Sequence, residues 1–198
     1  MNKILDYFNK NHGYARMKDL RKRSFQYWDI VDLVKQGKIE RIKHGLYRLA
    51  DMKDGKISRS FVDVCKAMPK GVICLASALS YYELTTFNPS EVYVAIPNKA
   101  KYIRTEYPPV KVYYFSDKIY QAGIETIQTP QGVVRIYGME KTICDMFRYR
   151  KKLGEDMALE SLRNYLRHKN ADIPKLEQFA NICAVKTVIT PYLKALVP

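Results

Sequence analysis

The sequence predicts an α+β (mixed α/β) chain. A small basic module of three helices closed by a β-hairpin precedes a larger body, in which a small central sheet is flanked by helices. Three observations predict this. The first fifty residues carry twelve basic and five acidic side chains, half of the net +14 of the 198-residue chain. Within that stretch apolar residues recur at helical spacing three times and then fall into two short segments around a glycine. Further on, β-rich apolar segments lie between helical ones, an order that implies an α+β or mixed α/β body. At 47% hydrophobic and 27% charged residues the chain has the composition of an ordinary folded protein. No run approaches 18 apolar residues, so no membrane span is expected. The opening Met1-Asn2-Lys3-Ile4-Leu5-Asp6-Tyr7 lacks the apolar core of a signal peptide, and a cytoplasmic location is expected.

In the module, Ile4, Leu5 and Phe8 make the first helical stripe, and Gly13 reads as its stop. A short second helix fits Arg16 to Lys22, with Met17 and Leu20 on one face. Arg21-Lys22-Arg23 then leads to Ser24, the expected N-cap of a third helix over Phe25 to Gln36. Tyr27, Ile30, Val31 and Val34, with Leu33 alongside, form its expected inward face, and Gly37 suits the position after its end. Ile39–Ile42 and Leu46–Leu49 pair as a hairpin, with Gly45 at the turn position that needs a permissive residue. Three helices followed by a two-stranded hairpin is the order of a winged helix-turn-helix. In that fold the third helix enters the major groove and the hairpin runs along the flanking backbone.

The chemistry suits duplex DNA. Phosphates call for mobile cations at a strand edge or helix end, which Lys38, Arg41, Lys43 and Arg48 offer on the hairpin, with His44 as a further contact candidate, and Arg16, Lys18, Arg21, Lys22 and Arg23 offer before helix three. Ser24, Gln26 and Tyr27 sit where that helix meets base edges, and Gln pairs bidentately with adenine. Tyr27 and Trp28 read equally as packing aromatics. Asp29 and Asp32 on the same helix would repel phosphates. This leaves the helix as a base reader and the wing and the Arg21-Lys22-Arg23 turn as the carriers of affinity.

Residues 51–56 are polar and turn-rich and are expected to link a DNA-binding domain (1–50) to a second domain (57–198). There, helices are expected over Ser58–Met68 and Leu75–Leu84, and strands over Val92–Ile96, Val110–Phe115, Ile124–Gln128 and Val133–Tyr137. Helices follow over Met139–Arg150, Asp156–Arg167, Lys175–Cys183 and Val185–Leu196. Lys141, Arg148, Arg150, Lys151, Lys152, Arg163 and Arg167 form either a second polyanion-facing surface or favourable cations at helix ends.

The stretches GYARMKDL and WDIVDLVKQGKIERIKHGLYRLA (Gly13 to Ala50) resemble the N-terminal winged helix of the AbiEi-type antitoxins. CLASALSYYELT, VYVAIP and VRIYGMEKTICDMFRYR resemble that family's second domain. The resemblance implies an antitoxin of a type IV toxin–antitoxin (abortive infection, phage resistance) operon. Its winged helix would bind inverted repeats in its own promoter and repress it, as a monomer in solution that binds cooperatively on DNA. Its second domain would neutralise a nucleotidyltransferase-like toxin, with or without direct contact.

No catalytic residue, cofactor or metal site is expected. Cys65, Cys74, Cys144 and Cys183 form no C-x-x-C and stand apart from His12, His44 and His168, so free thiols are expected rather than a zinc site. A rival reading is a nuclease. The metal-binding [DE]-x-K pattern occurs only at Asp51–Lys53 and Asp54–Lys56, in the expected linker, and the strands Val92–Ile96 and Val110–Phe115 hold no carboxylate. A repressor whose second domain senses a ligand is the other alternative.

Overall fold

A computed structural model describes residues 2–52, 57–102 and 104–196. The chain divides into two compact units. One comprises residues 1–69, 101–110 and 128–134, the other residues 70–100, 111–127 and 135–198.

The first unit contains α1 (Lys3–Lys10), β1 (Tyr14–Arg16), α2 (Met17–Lys22), α3 (Tyr27–Lys35), β2 (Ile39–Lys43), β3 (Leu46–Leu49) and α4 (Arg59–Ala67). Asn2 caps α1, its Oδ1 accepting from Ile4 N at 3.0 Å, and His12 and Gly13 turn the chain at positive φ into β1. The three strands form an antiparallel sheet in the order β1-β3-β2, with Tyr14 opposite Arg48 and Ile39 opposite Leu49. Ile4, Phe8, Ala15, Leu20, Ile30, Leu33, Ile39 and Tyr47 make the core under the helices. This is the winged helix-turn-helix that the sequence predicts, with one strand more. Three residues beside a helix end are too few to show alternation, and β1 carried no signal.

Gly37 and Gly45 do what their positions require. Gly37 (φ 66°) follows α3, and the Gly37 and Lys38 N–H groups donate to the carbonyls of Val34 and Leu33, closing the last turn. Gly45 (φ 71°) makes the turn of the wing. Ser24 differs from expectation. It stands at φ 62°, inside the turn between α2 and α3, and Gln26 is the N-cap residue, with no side-chain cap bond. The inward face of α3 is also narrower than expected. Ile30 and Leu33 are buried, Val31 and Val34 half-buried, and Tyr27 turns outward.

The expected boundary at 51–56 falls inside the first unit, although its residues 53–56 lie outside the described residues. Helix α4, assigned by sequence to the second domain, groups with the first. The physical tie is polar: Tyr14 Oη donates to Asp63 Oδ1 at 2.7 Å, and Lys43 Nζ donates to the Ala67 carbonyl at 2.7 Å.

The second unit carries β4 (Val72–Ile73), α5 (Leu75–Tyr81), β5 (Val92–Pro97), α6 (Asp117–Gln121) and most of β6 (Val110–Phe115), with parts of β7 (Ile124–Thr129) and β8 (Gly132–Tyr137), whose residues 128–134, the turn between them included, belong to the first unit. The helices α7 (Met139–Leu153), α8 (Glu155–Leu166), α9 (Ile173–Ile182) and α10 (Lys186–Leu196) follow. The sheet order is β6-β5-β4-β8-β7, with β4 antiparallel to β5 and parallel to β8. Helix α7 is the centre of the unit and packs against α5, α8 and α9. Its buried run Glu140–Phe147 meets a core that includes Leu79, Tyr113, Phe115, Leu162 and Leu176. Among the described residues no helix is long and apolar enough to cross a membrane.

Candidate nucleic-acid interface

Helix α3 follows α2 through a four-residue turn, Arg23 to Gln26. Backbone N–H groups of Arg23 and Phe25 donate to the Leu20 carbonyl, and that of Ser24 to Arg21, which winds the turn tightly. The turn therefore pushes its side chains outward. Lys18, Arg21, Lys22, Arg23, Ser24 and Gln26 are all exposed. Arg23 stacks its guanidinium 4.8 Å from the centre of the Tyr7 ring, which orients the cation without neutralising it. At the start of α3, Tyr27 and Trp28 meet edge to face at 5.5 Å and both are exposed, Trp28 at 73%. This decides the open question about Trp28: it does not pack in the core. Asp29, Asp32 and Lys35 continue the outer surface of α3. Trp28 thus joins the exposed start of α3 beside Tyr27, a place that its position next to Tyr27 in the sequence could have signalled.

The wing is different, because much of its charge is already used. Lys38 and His44 are exposed. Arg41 is exposed, but its Nε donates to Glu106 Oε2 at 2.8 Å, and this bond raises the Arg41 pKa above the usual guanidinium range. Glu106 comes from the segment 101–110, whose Glu106 and Tyr107 N–H groups donate to the Ile42 carbonyl on β2. No local sequence signal pointed to Glu106. Lys43 is half-buried on Ala67, and Arg16 Nη2 donates to the Lys66 carbonyl at 3.1 Å.

Arg48 corrects the expectation most sharply. It is 1% exposed, so its guanidinium is withdrawn from any phosphate. It pairs with Glu40 and lies 3.2 Å from Asp63 Oδ2, while Asp63 accepts from Tyr14. Burial raises the Asp63 pKa, and the Tyr14 hydrogen bond and Arg48 charge pull it back. Burial raises that of Tyr14 as well, with Asp63 adding to it.

In the second unit Lys141 is likewise not on a surface. It is fully buried, paired with Asp145 one helical turn on, with its ammonium 4.1 Å from the centre of the Tyr137 ring and 4.9 Å from that of Phe115. Arg148 Nη1 donates to the carbonyl of Cys183, the cap of α9, at 3.1 Å, the role that charge at a helix C-terminus favours, and Arg150 Nη1 donates to the Phe147 carbonyl of its own helix at 2.8 Å. Lys151, Lys152, Arg163 and Arg167 are exposed. Cys74, Cys144 and Cys183 are buried free thiols and Cys65 is half-buried; burial pushes Cys183 up to about 12. Among the described residues no group of three or more His, Cys, Asp and Glu side chains is arranged to hold a metal ion.

Residues 2–50 match the family model described as transcriptional regulator, AbiEi antitoxin. The match spans the helices and the wing from α1 through β3 and ends before α4. No curated protein matches the chain.

Proposed function

We propose that this protein is a DNA-binding antitoxin that represses its own toxin–antitoxin operon through the winged helix of its first unit. The carrying observation is the exposed surface that the α2–α3 turn presents. Arg21, Lys22 and Arg23 lie on one side, and Gln26, Tyr27 and Trp28 at the start of the helix that would enter the major groove. Cations of this kind supply affinity without reading sequence, and Gln26 supplies a base-edge reader. The match of residues 2–50 to antitoxin regulators supports the same reading.

The direct test is equilibrium binding of the full chain to the inverted repeats of its own promoter and to a scrambled duplex. Tight binding to the first, and weak salt-sensitive binding to the second, is the expected result. Equal affinity for both would remove the repressor reading.

The second unit is the part we assign to neutralising a nucleotidyltransferase-like toxin, in the manner of a type IV antitoxin that needs no stable complex. Its support is the match of residues 2–50 to antitoxin regulators together with a core of its own, centred on α7. Co-expression with the neighbouring nucleotidyltransferase gene tests it. The full chain carrying Arg21→Ala, Lys22→Ala and Arg23→Ala should lose repression and still restore growth. Loss of both would place neutralisation in the same surface as DNA binding.

A further inference from the structure

The first unit crowds three cations around the last turn of α4. Arg16 donates to the Lys66 carbonyl and Lys43 to that of Ala67, so both reach the same helix end. The side chain of Lys66 lies against β1, its Nζ standing 4.5 Å from the centre of the Tyr14 ring. Among the described residues no oxygen accepts a hydrogen bond from that ammonium. The β7–β8 turn comes so close that a Cβ on Gly132 would stand 3.0 Å from Lys66 Nζ, which a side chain there could relieve only by displacing the ammonium. Lys66 is thus half-buried, flanked by an aromatic ring and a backbone turn, and short of acceptors.

Like charges this close cost free energy unless something offsets them. Burial and the Arg16 charge both lower the pKa of Lys43 and of Lys66. The carboxylates nearby offset it only in part: the Asp63 charge pulls the Lys66 pKa back up without reversing the shift. Asp63 is occupied by Tyr14 and Arg48. Asp19 lines the adjoining cleft without forming an ion pair with Arg16 or Lys66 among the described residues. That cleft is open, holds about 290 Å³, and is lined by Asn11, His12, Tyr14, Arg16, Asp19 and Lys66.

We propose that this cleft is a phosphate-binding site, with Lys66 and Arg16 as its charged donors and Lys43 adding to the field beside it. A phosphate group has several acceptor oxygens, enough for the three N–H groups of Lys66 and the free nitrogens of Arg16 together. Its charge also offsets the crowding that Asp63 compensates only in part. Asp19 opposes the anion and sets a limit on affinity. Lys66 lies on α4, beyond the stretch that matches antitoxin regulators. The same chemistry serves two sources, the backbone of a nucleic acid and a free nucleotide.

The experiment uses the full chain and two probes, a 20-base-pair duplex of random sequence and ATP. Because the duplex carries no operator, the outcome is independent of whether the protein reads its promoter. Lys66→Gln should lower the slope of log affinity against log salt on the duplex by about one, as loss of one phosphate contact does, and Lys66→Arg should restore it. If the slope is unchanged, but ATP raises the melting temperature of the wild type and not of Lys66→Gln, the site stands and its source is the free nucleotide. A second measurement avoids variants. In the wild type, lysine acylation read by mass spectrometry should show Lys66 protected by duplex or by ATP, with exposed Lys194 unchanged. Unaltered slope, unaltered melting response and no protection of Lys66 by either probe would overturn the proposal.

Discussion

Arg48 in the first unit and Lys141 in the second are both buried cations, yet they are built differently. Lys141 is served locally. Its carboxylate is on the same helix, one turn away, and Tyr137 and Phe115 face its ammonium. Arg48 is served from a distance. Glu40 stands opposite it on β2, and Asp63 comes from α4 and also holds Tyr14 of β1. The first arrangement holds one helix in its core. The second ties the wing, β1 and α4 together, and explains why α4 belongs with the helices that precede it. A buried ion pair is weak evidence for net stability, since desolvation offsets much of the attraction. The difference therefore lies in what each pair connects.

Removing one partner from either pair should have the largest effect in the molecule. Asp145→Ala leaves buried Lys141 without a carboxylate, at a cost of about 3–5 kcal/mol; Asp63→Ala leaves Arg48 with Glu40 alone and strands the Tyr14 hydroxyl, at a cost of about 1–3 kcal/mol. Hydrogen-exchange protection of the backbone in α4 and α7 reads each effect where it arises. Apolar replacement of both partners separates the two designs. Lys141→Met with Asp145→Leu should come out near neutral. Arg48→Met with Asp63→Leu should remain destabilised by about 1–3 kcal/mol, because Glu40 and the Tyr14 hydroxyl are left without their partners. Equal outcomes for the two double variants would dissolve the distinction.

The same contrast, charge spent inside against charge left free, divides the winged helix. Arg21, Lys22 and Arg23 have no carboxylate partner among the described residues, whereas Arg41, Lys43 and Arg48 all have acceptors within the chain. Replacing Arg21, Lys22 and Arg23 by Ala should lower the salt slope on duplex DNA by nearly three, at about 0.9 per phosphate contact. Replacing Arg41 and Lys43 should lower it by less than the two units that two free cations would give. A full two-unit loss would show that these internal bonds open on DNA.

Base reading should be smaller and selective. Gln26→Ala is expected to cost about 1–3 kcal/mol of discrimination at one base position, measured on a panel of single-substituted operators. Uniform weakening across the panel would assign Gln26 to positioning. Trp28→Ala should leave stability within about 0.5 kcal/mol, as exposed substitutions do. Any loss of affinity that accompanies it then reports contact with DNA rather than damage to the fold.

These contrasts also mark what the sequence could show. The helices and hairpin of the first unit were legible because Ile4, Phe8, Leu20, Ile30 and Leu33 recur at helical spacing and Gly13, Gly37 and Gly45 punctuate them. β1, β4 and α6, at three, two and five residues, are too short to show a period. The fate of Arg48 was not legible, since Asp63 is fifteen positions away and nothing local marks it. That of Lys141 was partly so. It directly precedes the run Thr142-Ile143-Cys144, with an aspartate four residues on, which is the pattern of a cation buried with its partner rather than of a surface charge. Charge alone, which offers either a polyanion-facing surface or cations at helix ends, does not single out the buried member of the cluster.

The smallest predicted effect concerns Glu106. Arg41 and Glu106 are both about half exposed, at 43% and 46%, so their pair is screened by solvent and worth on the order of 0.2–1 kcal/mol. If Arg41 contacts a phosphate, Glu106 competes for the same guanidinium. Removing its charge with Glu106→Gln should raise affinity for duplex DNA by no more than about fivefold and steepen the salt slope by about one, as a newly freed cation would. The Glu106 and Tyr107 N–H bonds to Ile42 do not involve the side chain and should hold the segment in place. Arg41→Gln alone should weaken binding, and adding Glu106→Gln to it should change nothing further, because the competition has lost its object. A gain in affinity that persists without Arg41 would mean that Glu106 repels DNA directly. No gain in either background would mean that Arg41 stays with Glu106 on DNA, which leaves the α2–α3 turn and Lys38 as the contacts that carry affinity.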